Sequence, residues 1–193
     1  ETTKPDGSFL KNSHRHWANE MFENAKDEEP WFGLEQEYFM IDMKTGKPLG
    51  LENAKEQGQY YCSVGAANAF GRDLAEEHMR ACVNAGIKIS GINAEVAPGQ
   101  WEFQIGPCTG IEEGDHMWMA RFLLDRLSEN HGIKIDYEPK PLDGDWNGSG
   151  CHANYSTKKM REGTDGKSGL EYIDEAIEKL SHKHMEHMET YGS

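Results

Sequence analysis

The sequence has 193 residues, enough for one domain with its own core or one domain with a piece of another. Its 34 acidic side chains outnumber 20 basic ones, and the formal net charge of −14 argues against nucleic acid or an anionic membrane as partner, though not against cation-bound phosphates. No apolar run approaches the roughly 18 residues of a membrane span, no signal peptide is visible, and Cys62, Cys82, Cys108 and Cys151 show no CxxC spacing. These features predict a soluble protein in a reducing, cytoplasmic setting, with an organelle such as a plastid as the alternative.

Residues 1–29 form a polar segment with a short helix over Asn12–Lys26 that carries Trp17, Met21 and Phe22 on one side and ends by Pro30. Residues 31–41, WFGLEQEYFMI, are aromatic and aliphatic without proline and predict a strand. Alternation sends Glu35 and Glu37 to the same face, about 7 Å apart. Burying either unpaired would cost several kcal/mol, so two readings remain open here: a solvated strand face, or a pair set around a counter-charge. Lys44–Pro48 is turn chemistry, and Tyr60–Val64 is expected to be a short strand. A helix follows over Gly71–Ala85, with Leu74, His78, Met79, Cys82 and Ala85 on one face and Gly86 as its stop.

Residues 87–96 predict a strand with Ile87 and Ile89 on one side and Glu95 at its end. After the Pro98-Gly99 turn, the chain alternates cleanly. Trp101, Phe103 and Ile105 face one way; Gln100, Glu102 and Gln104 face the other. A helix over Asp115–Asn130 shows Met119, Phe122, Leu123 and Leu127 at helical spacing, with Gly132 after it. Residues 136–150 are too rich in Pro, Gly and Asp for regular structure and form a long loop. Cys151–Ser156 is another alternating strand, with His152, Asn154 and Ser156 on one face. A final helix, capped by Ser168 and reaching about Tyr191, places Leu170, Ile173, Ile177, Leu180 and His184 on a buried side. Its His182, His184 and His187 offer a single i+3 pair and read as ordinary surface histidines.

The pattern predicts an α+β fold, an antiparallel curved sheet with helices packed on its outer face. The polar faces of its strands would then line a concave surface with four carboxylates and an imidazole. That many hard oxygen ligands suits Mg²⁺ or Mn²⁺ better than zinc, and Mg²⁺ that keeps part of its water usually works with phosphates. Phosphoryl transfer is the chemistry this suggests. The Gly148-Ser149-Gly150 loop could admit an anion, although GxG alone is a weak signal.

Three motifs carry a resemblance. Trp31-Phe32-Gly33-Leu34-Glu35-Gln36-Glu37-Tyr38, the run Asn93-Ala94-Glu95-Val96-Ala97-Pro98-Gly99-Gln100-Trp101-Glu102-Phe103-Gln104-Ile105-Gly106-Pro107, and Asn147-Gly148-Ser149-Gly150-Cys151-His152-Ala153-Asn154 closely resemble eukaryotic-type glutamine synthetase. The likeness runs from about Pro30 to the end of the chain. It implies ATP-dependent ligation of ammonia to L-glutamate through γ-glutamyl phosphate, with Mg²⁺ or Mn²⁺ as cofactor. Matching the motifs, Glu37, Glu95 and Glu102 would hold one cation and Glu35 with His152 a second. Trp31, Glu102, Phe103, Gln104, Ile105, Gly106, Pro107, Asn154 and Ser156 correspond to nucleotide contacts. Asp145, Trp146, Asn147 and Gly148 correspond to the glutamate loop, with aspartate at 145 where the family more often has asparagine.

The resemblance also implies a homo-oligomer, a decamer of two pentameric rings, with ATP, L-glutamate and ammonium as ligands and neither nucleic acid nor membrane as partner. It covers the central part of the family's catalytic domain, over residues 30–193. The family's small N-terminal β-grasp domain and the C-terminal part of its site have no counterpart in this sequence, and no residue is assigned as catalytic. This polypeptide alone is therefore expected to be inactive, with activity in the longer parent. A synthetase-like structural or regulatory protein is the alternative, against which the retention of five costly ligands speaks.

Overall fold

A computed structural model of the chain describes residues 1–191; the final two positions of the expected domain, 192 and 193, lie outside the described residues. Helix α1 (His14–Asn24) and a single 3₁₀ turn lead into β1 (Trp31–Asp42), the longest strand. It is followed by β2 (Lys47–Pro48), α2 (Arg72–Asn84), β3 (Ile89–Ala94), β4 (Gln100–Thr109) and α3 (Glu112–His131). Then come β5 (Ile133–Asp136), β6 (Cys151–Ser156) and the helices α4 (Lys158–Glu162), α5 (Gly169–Ser181) and α6 (His184–Thr190).

All strand pairs are antiparallel, and β1 lies at the centre. On one side it pairs with β4, which pairs with β3; on the other, its first half pairs with β6 and its second with β5. The alternation in the sequence decides which face is which. Tyr38, Met40, Trp101, Phe103 and Ile105 are all almost fully buried and share one core with Leu74 and Cys82 of α2 and Met117, Ala120 and Leu124 of α3. Burying each of the larger aliphatic and aromatic side chains among these contributes about 1.5–3 kcal/mol, so the helices are fixed on that face. The opposite face is left to Glu35, Glu37, Glu102 and their neighbours. The predicted α+β class, with a curved antiparallel sheet and helices on its outer side, is what the chain adopts.

The N-terminal segment is tied to α3 by a two-pronged ion pair of Arg15 with Asp115 and to β1 by an edge-on contact of Phe22 with Phe32, ring centres 5.3 Å apart. Helix α2 ends as read, with Gly86 left-handed after Ala85. Ala85 itself is exposed, so it leaves the stripe of Leu74, His78 and Cys82.

Four expectations need correction. Tyr60–Val64 is a turn, not a strand: Cys62 is left-handed (φ +50°), and the residue reaches the sheet through one bond, from its N–H to Ala94 O at 2.9 Å. The left-handed turn at Cys62 breaks the extended run, so no ladder forms. Strand β5 was not expected, since four residues after Gly132 carry too little alternation to separate from a helix end. Helix α3 buries Met117, Ala120, Leu124 and Ser128, whereas Met119 and Phe122 are exposed and Leu123 and Leu127 only flank the core. Apolar residues surround this helix, so periodicity cannot select a face; small Ala120 allows the close approach. The last helix is two helices broken at His182-Lys183, and its apolar stripe is exposed, with Leu170 at 65% and Ile177 at 57%. Its Ser168 cap holds: the Ser168 N–H donates to Glu171 and the Glu171 N–H to Ser168 Oγ. Among the described residues no helix is long and apolar enough to cross a membrane.

Candidate metal centre

The pairing register lines up the polar side chains in two neighbouring rows across the concave face. In one, Asn93 of β3, Glu102 of β4 and Glu37 of β1 stand opposite one another in turn. In the next, Gly91, Gln104, Glu35 and His152 of β6 do the same. Glu95 follows β3 directly, where its N–H bonds to Gln100 O at 2.9 Å and turns its side chain back over the first row.

Glu37, Glu95 and Glu102 each offer a carboxylate oxygen within 4.8 Å of the other two. Glu95 is 7% and Glu102 9% exposed, and Glu37 is half-buried. Among the described residues no lysine, arginine or histidine forms an ion pair with any of the three. Burial, and then repulsion from Glu37, pushes the Glu95 carboxyl up to about 7. Burial also raises Glu37, opposed by the Gly150 N–H that it accepts, and raises Glu102, opposed by the Gln104 amide. Three crowded carboxylates without counter-charge are costly in the ionised state. Two oxygens on one Mg²⁺ or Mn²⁺ lie about 3–4 Å apart, so side-chain adjustments of an ångström or less would seat the cluster around a cation. The residues therefore fit a hard divalent ion.

Glu35 and His152 face each other across the β1–β6 pair, the position at which opposite side chains are nearest neighbours. Asn154 Nδ2 donates to Glu35 Oε1 at 2.6 Å. All five sequence-predicted metal ligands thus lie on one face, three as a closed group and two beside it.

A groove of about 450 Å³ opens next to the second row. Trp31 and Glu35 of β1 line it, with Gln104–Pro107 of β4 and with Asn154 and Ser156 of β6. Gly106 lies at φ +127°, and a Cβ there would come within 2.8 Å of Phe32 O and 2.9 Å of Gly33 Cα, so no larger residue fits this approach of β4 to β1. Of the residues matched to nucleotide contacts, Glu102 belongs to the carboxylate cluster instead. The Phe103 side chain points away, fully buried against His78 with ring centres 4.9 Å apart. Ile105 lines the groove although it is almost fully buried.

The loop after β5 is held over the concave face by Gln100, which is 1% exposed. Its Nε2 donates to Gly148 O at 2.8 Å, and its Oε1 accepts from Asn147 Nδ2 at 3.3 Å. The Gly150 N–H donates to Glu37 Oε2 at 2.6 Å. Trp146 is half-buried, whereas Asp145 is exposed and bonds through its backbone to Glu56 and Gln57. The loop thereby seats Asn147 and Gly148 on Gln100, touches the cluster through Gly150, and leaves Asp145 exposed.

Several residues of the site carried no recognisable signal in the sequence. Arg161 of α4 stacks on Trp31 with its guanidinium 3.9 Å from the ring centre and donates to Ser156 Oγ at 3.0 Å. Behind β1, Arg121 Nε donates to Gln36 Oε1 at 3.0 Å, and Gln36 Nε2 donates in turn to the backbone oxygens of Glu37 and Gly150. Only the register and the helix packing bring these groups to the site.

The family described as "Glutamine synthetase, catalytic domain" matches residues 11–171. A putative glutamine synthetase of Acanthamoeba polyphaga mimivirus is 56% identical over 192 residues, covering 100% of this chain and 53% of the relative. Glutamine synthetase of Suillus bovinus is 56% identical over 195 residues (100% and 54%), and that of Saccharomyces cerevisiae 57% over 191 (97% and 50%). The chain spans about half the length of these relatives. Among solved structures, a Plasmodium falciparum glutamine synthetase superposes with a TM-score of 0.67 at 16% identity, over 80% of this chain and 36% of that one. A "novel glutamine synthase homolog" gives 0.63 at 17%, over 80% and 34%. At such identities these two likenesses bear on the fold.

Proposed function

The chain belongs to the glutamine synthetase catalytic-domain family, and from that membership we propose that it supplies the metal-binding part of an enzyme that joins ammonia to L-glutamate at the expense of ATP, through γ-glutamyl phosphate. The observation that carries this reading is the trio Glu37, Glu95 and Glu102, gathered within 4.8 Å and partly buried, with no basic side chain in an ion pair with it among the described residues. Such a group is expensive to maintain unless a cation completes it. A bound Mg²⁺ or Mn²⁺ would neutralise phosphate oxygens and stabilise the charge that develops on them during transfer.

The protein's own groups then have separate tasks. Ionised Glu37, Glu95 and Glu102 would hold one cation, with Glu37 fixed by the Gly150 N–H. Glu35 and His152 offer an oxygen and an imidazole nitrogen for a second, nearer the groove. Trp31 presents a flat indole, braced from behind by Arg161, on which an adenine can stack. The backbone of Gln104–Pro107 and the side chains of Asn154 and Ser156 line the nucleotide's course. The loop at Asp145–Gly148 meets glutamate through Asn147 and Gly148. We assign the reaction to a homo-oligomer, a double-ring decamer, in the cytoplasm.

The test is ammonia-dependent release of phosphate from ATP in the presence of L-glutamate, measured on this sequence within a chain of its relatives' length. Activity that falls about 100-fold or more in Glu102→Ala supports the reading. Unchanged turnover in that variant, or phosphate release indifferent to ammonia, contradicts it.

A further inference from the structure

Asn93, to which the sequence assigns no task, stands directly across from Glu102, and Gly91 stands across from Gln104. Alternation puts all four on the concave face. Because Gly91 has no side chain, the Gln104 amide lies in the space one would occupy: a Cβ there would be 2.6 Å from Gln104 Oε1. From this position Gln104 Nε2 donates to Glu102 Oε1 and, at 2.6 Å, to Asn93 Oδ1. Asn93 Nδ2 donates to Glu95 Oε1 at 3.1 Å. Two carboxylates are thus joined through two amides.

Each amide fixes the direction of the other. Asn93 accepts from Gln104 with its oxygen, which leaves its nitrogen for Glu95; turning either amide over would set a carbonyl oxygen against a carboxylate. The chemistry of the linker also matters. A lysine or arginine in its place would neutralise the carboxylates and compete with a cation. An amide donates a hydrogen bond without cancelling charge, so the pair is oriented and still needs a positive ion. We propose that Asn93, acting through Gln104, is a positioning residue that aims Glu95 and Glu102 at a shared divalent cation. This inference rests on the metal centre proposed above.

The test is Mn²⁺ binding, followed by calorimetry and by loss of the free-ion electron spin resonance signal at about pH 8, where the carboxylates are ionised. Asn93→Ala is expected to weaken Mn²⁺ binding about 10–100-fold, as removal of a group that orients a metal ligand does. Gln104→Met, close to the natural side chain in shape, breaks the same chain and is expected to weaken it similarly. The double variant should be no worse than the poorer single one, because either change disconnects the pair. Mn²⁺ affinity in both variants within about twofold of the parent overturns the positioning role. So does an equal fall in melting temperature with and without Mn²⁺, which would mark the amides as merely structural. If the parent protein binds no Mn²⁺, the metal centre and the positioning role fall together; if the parent binds and the variants bind equally well, only the positioning role falls.

Discussion

His78 shows how much a single buried side chain can set conditions for the whole domain. It is fully buried between α2 and α3, its Nε2–H donates to Ala120 O at 2.9 Å, and its Nδ1 has no partner. Burial holds its pKa down, to about 4 from an ordinary 6.5. Between those values the unfolded chain binds the proton and the folded chain does not, so stability falls as pH drops from about 6.5 towards 4. The loss is on the order of 3 kcal/mol. His78→Gln should be somewhat less stable at neutral pH yet show a shallower decline below pH 6.5, read from denaturant midpoints; an unchanged slope would contradict this account. Glu95 has the opposite sign. With its carboxyl raised to about 7, the folded state binds the extra proton, so its contribution is present below about 4.5 and is lost as pH rises towards 7. The metal-free cluster therefore works against the fold at neutral pH.

At the scale of elements, β4 joins two functions: its apolar face carries Trp101, Phe103 and Ile105 into the core while its polar face carries Glu102 and Gln104. This strand was legible because both faces are chemically pure. Strand β1 was legible from its aromatic and aliphatic run without proline, although its faces are mixed, with Phe39 on the side of Glu35 and Glu37 and Gln36 on the side of Tyr38; its register sets Glu37 opposite Glu102 and Glu35 opposite His152. Helix α3 was harder: apolar residues on several sides left the choice of face to the sheet beneath it. Strand β5 is decided by its four-residue pairing with β1, and the turn at residues 60–64 reaches the sheet through one long-range bond, neither of which a local pattern reports. At Gly106 the approach of β4 to β1 leaves no room for a methyl group against Phe32 O. Gly106→Ala is expected to cost more than about 1 kcal/mol and to distort the groove, since both the conformation and the space oppose the new Cβ. A melting temperature equal to the parent's would show the approach to be less tight than described.

The whole molecule divides its charge in the same way as its faces. Formal net charge is −14, and most acidic groups lie in solvent or in exposed ion pairs worth little; among the described residues the buried carboxylates are Glu95 and Glu102 of the concave cluster and, apart from it, Glu113 of α3. The carboxylate types and their shared face could be read from the residue pattern, and the grouping of Glu95 with Glu37 and Glu102 from the motif resemblance; the Asn93–Gln104 link and the Arg161 brace could not, because they depend on the strand register and on helix packing. The exposed stripe of α5 marks the other limit. An amphipathic pattern says that a face is apolar, not that another part of the described chain covers it.

The central claim is that the trio exists to bind a divalent cation, and melting temperature with and without Mn²⁺ or Mg²⁺ tests it most directly when the protein is compared with Glu102→Gln. That variant keeps the side-chain shape and removes one of three repelling charges. At about pH 8 it should melt at or above the parent without metal, while added cation should raise the parent's melting point and leave the variant's nearly unchanged. Near pH 5 the parent's response should shrink as protons compete for the carboxylates. A cation response equal in the two proteins, or absent from the parent, would contradict the account.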